Sequence, residues 1–367
     1  MTSSANRRTY LDLLRGIAVL IMIEAHVIDS WTRTSERASV AFGRSLILGG
    51  FGAPLFLFLA GIAVALSAGS KARRMGDDRK AAWLVARRGA EIFALAFLFR
   101  LQAFIVSASP AWTLLKVDIL NIMGPAIAVT AWLWATTHSR TGRLLTFAIV
   151  TAGLALATPI VRAVSWLGPL PDFIEGYLRP IPGLTNFAVF PWAAFVPAGA
   201  FVGVILDHAR QPATERRVNV GLALGGAALV VGAYQASFLP TPYAHSSFWT
   251  SSPCFLFLRV GILVIAVAVS YAWEQRPTAG RRWSPLRLLG RSSLFIYWIH
   301  VEMVYGLVSL PLHSGLRLRW AWAALVVFWT FMLLCAMGKE RTIRWWKAGG
   351  LGTGGSPSAR RTGMAEA

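Results

Sequence analysis

The stretch SLILGGFGAPLFLFLAGIAVALSA, residues 45–68, decides the class of fold that this sequence adopts. It contains no charged residue and is long enough to cross the roughly 30 Å hydrocarbon core of a bilayer as a helix. Nine other apolar stretches have a similar length, at 10–30, 86–107, 117–136, 144–164, 186–206, 218–238, 254–273, 288–310 and 320–338. We therefore predict an all-α, polytopic integral membrane protein of about ten transmembrane helices.

The composition supports a membrane protein. Of the 367 residues, 56% are hydrophobic and only 14% are charged, whereas soluble domains carry about 25% charged residues. A soluble two-domain protein is therefore excluded. The net charge of +20 is also found in nucleic-acid-binding proteins. Here, however, the basic residues lie in short loops between apolar stretches, so we interpret them as topogenic charges and predict no nucleic-acid partner.

The distribution of Lys and Arg predicts the orientation. If both termini are cytoplasmic, the inner segments hold 25 basic residues and the outer segments hold 8. Because Lys and Arg concentrate on the cytoplasmic side, we predict two cytoplasmic termini in a multi-pass protein of the cell inner membrane or plasma membrane. Residues 1–348 form one predicted transmembrane domain, with a retained first helix, and residues 349–367 form a disordered basic tail.

The first predicted helix carries polar residues that a lipid-facing helix would avoid. Arg15 and His26 are eleven residues apart, which places them on one helix face, and Asp29 follows His26 at i+3, where it can accept an imidazole N–H. Charged groups inside spans are costly and mark candidate functional sites. The alternatives are that Arg15 is a topogenic charge paired with Asp12 and that His26 is a packed core histidine.

Other spans carry polar residues at compatible depth. On one face of the ninth predicted span, Ser293, Tyr297 and His300 follow at i, i+4 and i+7. The further candidates are Arg100, Asp118, Asn121, Arg259 and Glu302. Interhelical ion pairing, such as Arg100 with Asp118, is the alternative interpretation.

The basic run KARRMGDDRKAAWLVARR, residues 71–88, is typical of a positive-inside loop, but it can also dock a phosphate-bearing ligand. Glu91 is predicted to pair locally with Arg87 and Arg88. No HExxH or CxxC motif occurs, and the six histidines lack metal-ligand spacing. We therefore predict no metal site.

Five segments resemble the transmembrane acyltransferase superfamily. The first helix, LDLLRGIAVLIMIEAHVIDSW (11–31), is similar to a family helix in which an arginine precedes a buried histidine by about eleven residues. FGAPLFLFLAGIAVAL (51–66) and LGRSSLFIYWIHVEMVYG (289–306) resemble its second and a late helix. VDILNIMGPAIAV (117–129) and FPWAAFVPAGAFVG (190–203) are most similar to the heparan-α-glucosaminide N-acetyltransferase-like branch.

The resemblance implies transfer of an acyl group, usually acetyl from acetyl-CoA, to an extracytoplasmic hydroxyl or amine on a sugar. The family's helix-1 arginine and histidine correspond to Arg15 and His26, and its late-helix histidine corresponds to His300. The lysosomal branch has a histidine after helix 1, whereas this chain has none between His26 and His138. The histidine role therefore falls on His26, and a heparan-type acceptor is not implied.

These expectations combine into one mechanistic hypothesis. Cytoplasmic acyl-CoA docks near Arg15, Arg87 and Arg88, and His26 acts as general base or carries the acyl group. Asp29 orients the imidazole ring, while an oxyanion is stabilised by one of three candidates, Arg100, Asn121 or Arg259. The expected partners are acyl-CoA, an extracytoplasmic glycan or glycoconjugate, and membrane lipids. The oligomeric state cannot be read from the sequence.

Two other functions also fit an interior that contains arginine and histidine. One is a transporter or flippase for a polar or anionic solute, although no inverted repeat is visible in the sequence. The other is a non-catalytic membrane scaffold.

Overall fold

The computed structural model describes residues 8–107, 110–276 and 283–347, so the predicted tail at 349–367 lies outside the described residues. Within these ranges the chain forms fourteen α-helices, which confirms the all-α class. They are α1 (Thr9–Trp31), α2 (Val40–Gly49), α3 (Gly52–Met75), α4 (Asp78–Ser107), α5 (Ile119–Ala135), α6 (Arg140–Ala163), α7 (Asp172–Leu178), α8 (Val189–Trp192), α9 (Phe195–His208), α10 (Pro212–Ala236), α11 (Pro253–Glu274), α12 (Pro285–Arg291), α13 (Ser293–Tyr305) and α14 (Leu318–Lys347).

Seven helical segments of the described chain are long and apolar enough to cross a membrane. They are Val40–Met75, Asp78–Val106, Arg140–Ala163, Val189–His208, Pro212–Ala236, Pro253–Glu274 and Leu318–Lys347. The predicted count of ten included three further segments. Of these, α1 is long enough to span a membrane, but it contains four charged residues (Asp12, Arg15, Glu24 and Asp29). Helix α5, with 17 residues, is shorter than the seven segments named above.

The third of these segments, predicted as one span at 288–310, is divided in the structure. Helix α12 ends at Arg291, α13 runs from Ser293 to Tyr305, and a 3-10 helix follows at Leu307–Leu312. A similar interruption separates α2 from α3 at Gly50–Phe51, inside the predicted span 45–68. Glycine and serine at these junctions lower helix propensity, whereas the apolar pattern that predicted the spans continues through them.

Helix α1 lies at the centre of the bundle, in contact with α2, α3, α11, α12, α13 and α14. Most of its buried apolar residues belong to two hydrophobic clusters, one shared with α3, α9 and α11, the other with α12, α13 and α14. A helix surrounded by protein on most sides can hold polar side chains away from lipid. This position explains how a helix with four charged residues can be largely buried.

Close backbone contact joins α1 to α12. A Cβ atom added at Gly16 would lie 1.9 Å from the carbonyl oxygen of Leu286, and one added at Gly290 would lie 2.0 Å from that of Asp12. Only glycine permits this approach at both positions. Because α13 follows α12 after a single residue, this contact also positions α13 against α1.

Candidate functional site: a histidine pair beside a cationic cavity

Two histidines from distant parts of the sequence meet between α1 and α13. Nδ1 of His26 lies 2.8 Å from Nε2 of His300, and the two rings are nearly parallel, at 15°, with centroids 5.1 Å apart. Nδ1 of His300 lies 2.8 Å from the carbonyl oxygen of Ile296, one turn earlier on α13. His300 is completely buried, whereas His26 is partly accessible. The pair therefore has one fully buried member and one that is only partly covered.

The carboxyl ends of α1 and α13 are also tied together, which sets the register of the pair. The carbonyl oxygen of Val304 accepts hydrogen bonds from the Ser30 hydroxyl (3.1 Å) and the Trp31 indole N–H (3.2 Å). It also accepts from the Ser309 hydroxyl, at 2.8 Å. Because Val304 follows His300 by one turn and Ser30 follows His26 by one turn, these bonds hold the two imidazoles at the same level.

Tyr297 connects the histidine pair to an ion pair between α4 and α5. Its ring contacts that of His300, with centroids 5.9 Å apart, and its hydroxyl lies 3.4 Å from Oδ2 of Asp118. The same carboxylate oxygen accepts from Nη2 of Arg100 at 2.7 Å. The alternative of an Arg100–Asp118 ion pair is thus confirmed, and this pair is adjacent to the tyrosine that contacts His300.

Asn121 has a structural role in this geometry. It belongs to the capping box of α5, in which its Oδ1 accepts the backbone N–H of Asp118 at 3.0 Å. Its amide nitrogen donates to the Tyr177 hydroxyl at 3.1 Å. The amide oxygen therefore belongs to the helix cap, and one N–H of the amide binds Tyr177. The oxyanion contact predicted for Asn121 would have to come from the second N–H.

Asp29 is not the hydrogen-bonding partner of His26, contrary to the expectation from its i+3 spacing. Its side chain is about half exposed, and its carboxylate lies 3.8 Å from Arg37. It also accepts from the Tyr305 hydroxyl at 3.5 Å. The bond that orients the His26 ring comes from His300 instead, because α13 approaches closer to the imidazole than the next turn of α1 does.

Arg259 and Glu302 lie outside the histidine contacts. The Arg259 guanidinium lies over the Phe255 ring, 4.1 Å from its centroid, and its Nε has no hydrogen-bond partner in the described part of the chain. Glu302 is half-buried on α13. Glu24, which lies on the opposite side of α1 from His26, is buried, and neither of its carboxylate oxygens has a hydrogen-bond partner among the described residues.

A cavity of about 660 Å³ opens beside this cluster, between α1, α3, α4, α5 and α13. We call it the cationic cavity because four basic side chains line it, Arg15, Lys71, Arg87 and Arg88. Its middle is apolar, with walls that include Met22, Phe56, Ala60 and Met123, and its α13 wall is formed by Ser293, Leu294 and Tyr297. The cavity thus joins a basic region to the tyrosine that contacts His300.

Arg87 and Arg88, two of the basic residues of the cavity, keep part of their charge accessible to a ligand. Arg88 and Arg87 lie 2.8 and 3.5 Å from Glu91, and both arginines are more than half exposed. This confirms the predicted local pairing, but Glu91 is the only acidic residue among the described lining residues, against four basic ones. Arg15 lies 3.1 Å from Asp12, as one interpretation of the sequence expected, and also lines the cavity. The arrangement suits an anionic ligand with an apolar arm.

The sequence model of the heparan-alpha-glucosaminide N-acetyltransferase catalytic family matches residues 7–232. This match covers more than half of the chain. The chain belongs to this family. No curated protein sequence matches it. Membership confirms the resemblance read from the sequence motifs, and together with the seven apolar segments it makes the chain a multi-pass membrane protein of an acetyltransferase family.

The family match contains only part of the site. It includes Arg15, His26, Arg87, Arg88 and the Arg100–Asp118 pair, but it ends before α11 and α13. His300 and Tyr297 are therefore joined to the matched region by tertiary contact. Their regular spacing on one face was visible in the sequence, whereas the contact between His300 and His26 was not predicted. The apolar cavity wall was also missed, since Met22, Phe56 and Ala60 look like ordinary residues of membrane helices.

Proposed function

We propose that this protein is a membrane acyltransferase that moves an acetyl group from acetyl-CoA to a hydroxyl or amino group of a sugar on the other side of the membrane. The observation that carries the proposal is the cationic cavity. One continuous space is lined both by the basic residues and by Tyr297, which contacts His300 of the histidine pair. Membership of an acetyltransferase family supports the same chemistry.

The donor would bind with its phosphates at the basic residues. Phosphate groups form strong, charge-assisted hydrogen bonds with arginine, and Arg87 and Arg88 are accessible for such contacts. The thioester arm is uncharged, and it would lie along the walls around Phe56 and Ala60. With both termini in the cytoplasm, as the Lys and Arg distribution predicts, this basic region faces the cytosol, where acyl-CoA is found.

His26 would perform the transfer. As a general base, it takes the proton of the acceptor hydroxyl or amine while the acceptor attacks the thioester carbonyl, and the proton then passes to the departing CoA sulfur. As a nucleophile, its ring nitrogen attacks the carbonyl first, CoA leaves as the thiol, and the acceptor then takes the acetyl group from the imidazole. Both routes break the same C–S bond.

Among the residues considered for oxyanion stabilisation, Arg100 remains the best placed. Its Nε is buried and has no hydrogen-bond partner in the part of the chain that the structure describes, while its Nη2 is held by Asp118. Its guanidinium is therefore anchored next to Tyr297 with one donor available. Asn121 is held by the α5 cap and by Tyr177, and Arg259 packs against aromatic rings.

The test uses purified wild-type protein, [¹⁴C]acetyl-CoA and methyl α-glucosaminide as the acceptor. We expect labelled acceptor and free CoA from the wild type, and a loss of about 100-fold or more in kcat for His26→Ala with unchanged acetyl-CoA affinity. His245→Ala, at an exposed loop histidine, is the matched control and should retain activity. A wild type that releases no CoA, or His26→Ala at the wild-type rate, would overturn the proposal in favour of a transporter or scaffold.

The two chemical routes separate when the acceptor is omitted. An acyl-histidine route leaves ¹⁴C on the wild-type protein and none on His26→Ala, whereas direct transfer leaves both proteins unlabelled.

A further inference from the structure

The hydrogen bonds of the histidine pair have a direction. The carbonyl oxygen of Ile296 can only accept, so Nδ1 of His300 carries the hydrogen of their 2.8 Å contact. In a neutral imidazole the other nitrogen then has a lone pair, and Nε2 of His300 is an acceptor. Nδ1 of His26, 2.8 Å away, must therefore be the donor. It follows that the lone pair of His26 is on Nε2, the ring nitrogen that points away from His300.

We propose that His300 is a positioning residue that fixes His26 in the tautomer with hydrogen on Nδ1 and a lone pair on Nε2. This inference rests on the proposed function, in which Nε2 of His26 receives the acceptor proton or attacks the thioester. Two hydrogen bonds connect the Ile296 carbonyl to His300 and His300 to His26. Together they orient the His26 ring as a carboxylate does in a Ser-His-Asp triad, but all the groups are neutral.

The location of the pair explains why a neutral partner suits this role. His300 is completely buried, and a permanent carboxylate at the same place would carry a large desolvation penalty. The exposed Asp29 illustrates the contrast, since it lies near the helix end with Arg37 as its counter-ion. When Nε2 of His26 takes up a proton, Nδ1–H can continue to donate to His300, so the ring keeps its orientation during the transfer.

Two amide substitutions at His300 distinguish the effect of losing the hydrogen-bond acceptor at Nε2 from the effect of changing the side-chain size. In His300→Gln, the amide oxygen reaches the position of Nε2 and can accept from His26, whereas the shorter His300→Asn reaches only the position of Nδ1. We expect His300→Asn to lower kcat about 100-fold with an unchanged KM for acetyl-CoA, and His300→Gln to recover activity to within about fivefold of wild type. Equal activity of the two variants, whether both high or both low, would overturn the inference.

A second measurement reads the tautomer without any activity. Protein labelled with ¹⁵N-histidine gives imidazole nitrogen shifts that distinguish a protonated from an unprotonated ring nitrogen, and the signals missing in His26→Ala identify His26. We expect a protonated Nδ1 and a bare Nε2 in the wild type, retained in His300→Gln. A protonated Nε2 on wild-type His26 would refute the positioning role even if transfer occurs. Absent transfer with the expected tautomer would instead refute the proposed function alone.

Discussion

Two cavities of similar size differ in what lines them, and the difference indicates where chemistry can occur. The cationic cavity has a volume of about 660 Å³. A second space of about 570 Å³, the apolar cavity, lies between α6, α9, α10 and α11. Thr151 is the one polar side chain among its described lining residues, and none is charged. Both cavities thus have a similar volume and apolar walls, whereas only the first has basic side chains and a wall residue, Tyr297, that contacts His300. An apolar cavity among membrane helices is stable without a ligand. Four basic side chains around one cavity repel one another, and an anionic ligand would offset that cost.

The largest effect that separates the cavities should come from removing the two arginines of α4 that line the cationic cavity. We expect Arg87→Ala together with Arg88→Ala to weaken acetyl-CoA binding about thirtyfold, since each exposed guanidinium contributes a modest, solvent-screened contact to a phosphate. The dissociation constant measured by titration calorimetry is the readout. The matched control is Arg216→Ala with Arg217→Ala, an exposed pair on α10. If this control weakens binding equally, net charge rather than the cavity attracts the donor.

Filling the cationic cavity should have the next largest effect. Ala60→Trp places a bulky ring in the apolar middle of this space, and we expect about a tenfold rise in the KM for acetyl-CoA because the thioester arm loses room. Ala148→Trp makes the same change at the lining of the apolar cavity and should leave KM unchanged. Transfer kinetics on both variants provide the measurement. The reverse result would show that the donor enters between α6 and α10.

A substitution at Glu91 should act in the opposite direction. Glu91→Gln removes the acidic residue that lies near Arg87 and Arg88, so both guanidinium groups become free for phosphate. We expect acetyl-CoA affinity to rise about threefold, with a larger change at low salt than at high salt. The control is Glu340→Gln on α14, which removes the carboxylate that pairs with Arg291 at the end of α12. Weaker binding in Glu91→Gln would mean that the carboxylate itself helps to build the donor site.

The smallest effect is expected at Gly225, which lines the apolar cavity. A Cβ atom added there meets no other atom within 4 Å, so Gly225→Ala should leave transfer unchanged and stabilise α10 by about 0.5–1 kcal/mol. The midpoint of thermal unfolding in detergent, measured beside the transfer rate, checks both statements. A substantial loss of transfer would assign the apolar cavity a part in the reaction.

The sequence predicted the site best where the residues are charged. Arg15 was identified as a donor-binding candidate because a charge inside a membrane span is costly, and Arg87 and Arg88 because they belong to the basic run 71–88. The structure brings all three to one cavity with Lys71. Asp29 shows the limit of this reasoning. Its i+3 spacing from His26 allowed a hydrogen bond, but spacing within one helix says nothing about a competing partner from another helix, and His300 occupies that position.

The positions of the apolar helices were predicted well, and their continuity less so. Each of the ten predicted apolar stretches overlaps at least one helix within the described ranges, and seven helical segments there are long and apolar enough to cross a membrane. The break at Ser292, which divides 288–310, was not visible in the sequence. Hydrophobicity indicates that a segment lies in the membrane, whereas the continuity of its helix depends on local packing. Here the α12 backbone is held against α1 at Gly16 and Gly290, and α13 begins separately after it.

By itself, the sequence determined that this chain belongs in a membrane, that its helices would be apolar over bilayer-length stretches, and that arginine and histidine would lie on the inner faces of some of them. These conclusions follow from local composition and period, because lipid excludes unsatisfied polar groups wherever they occur. Only the tertiary structure decided which polar groups meet, since His26 and His300 are separated by 274 positions in the chain. Their contact depends on how closely α1, α12 and α13 pack, which no periodicity within one helix encodes.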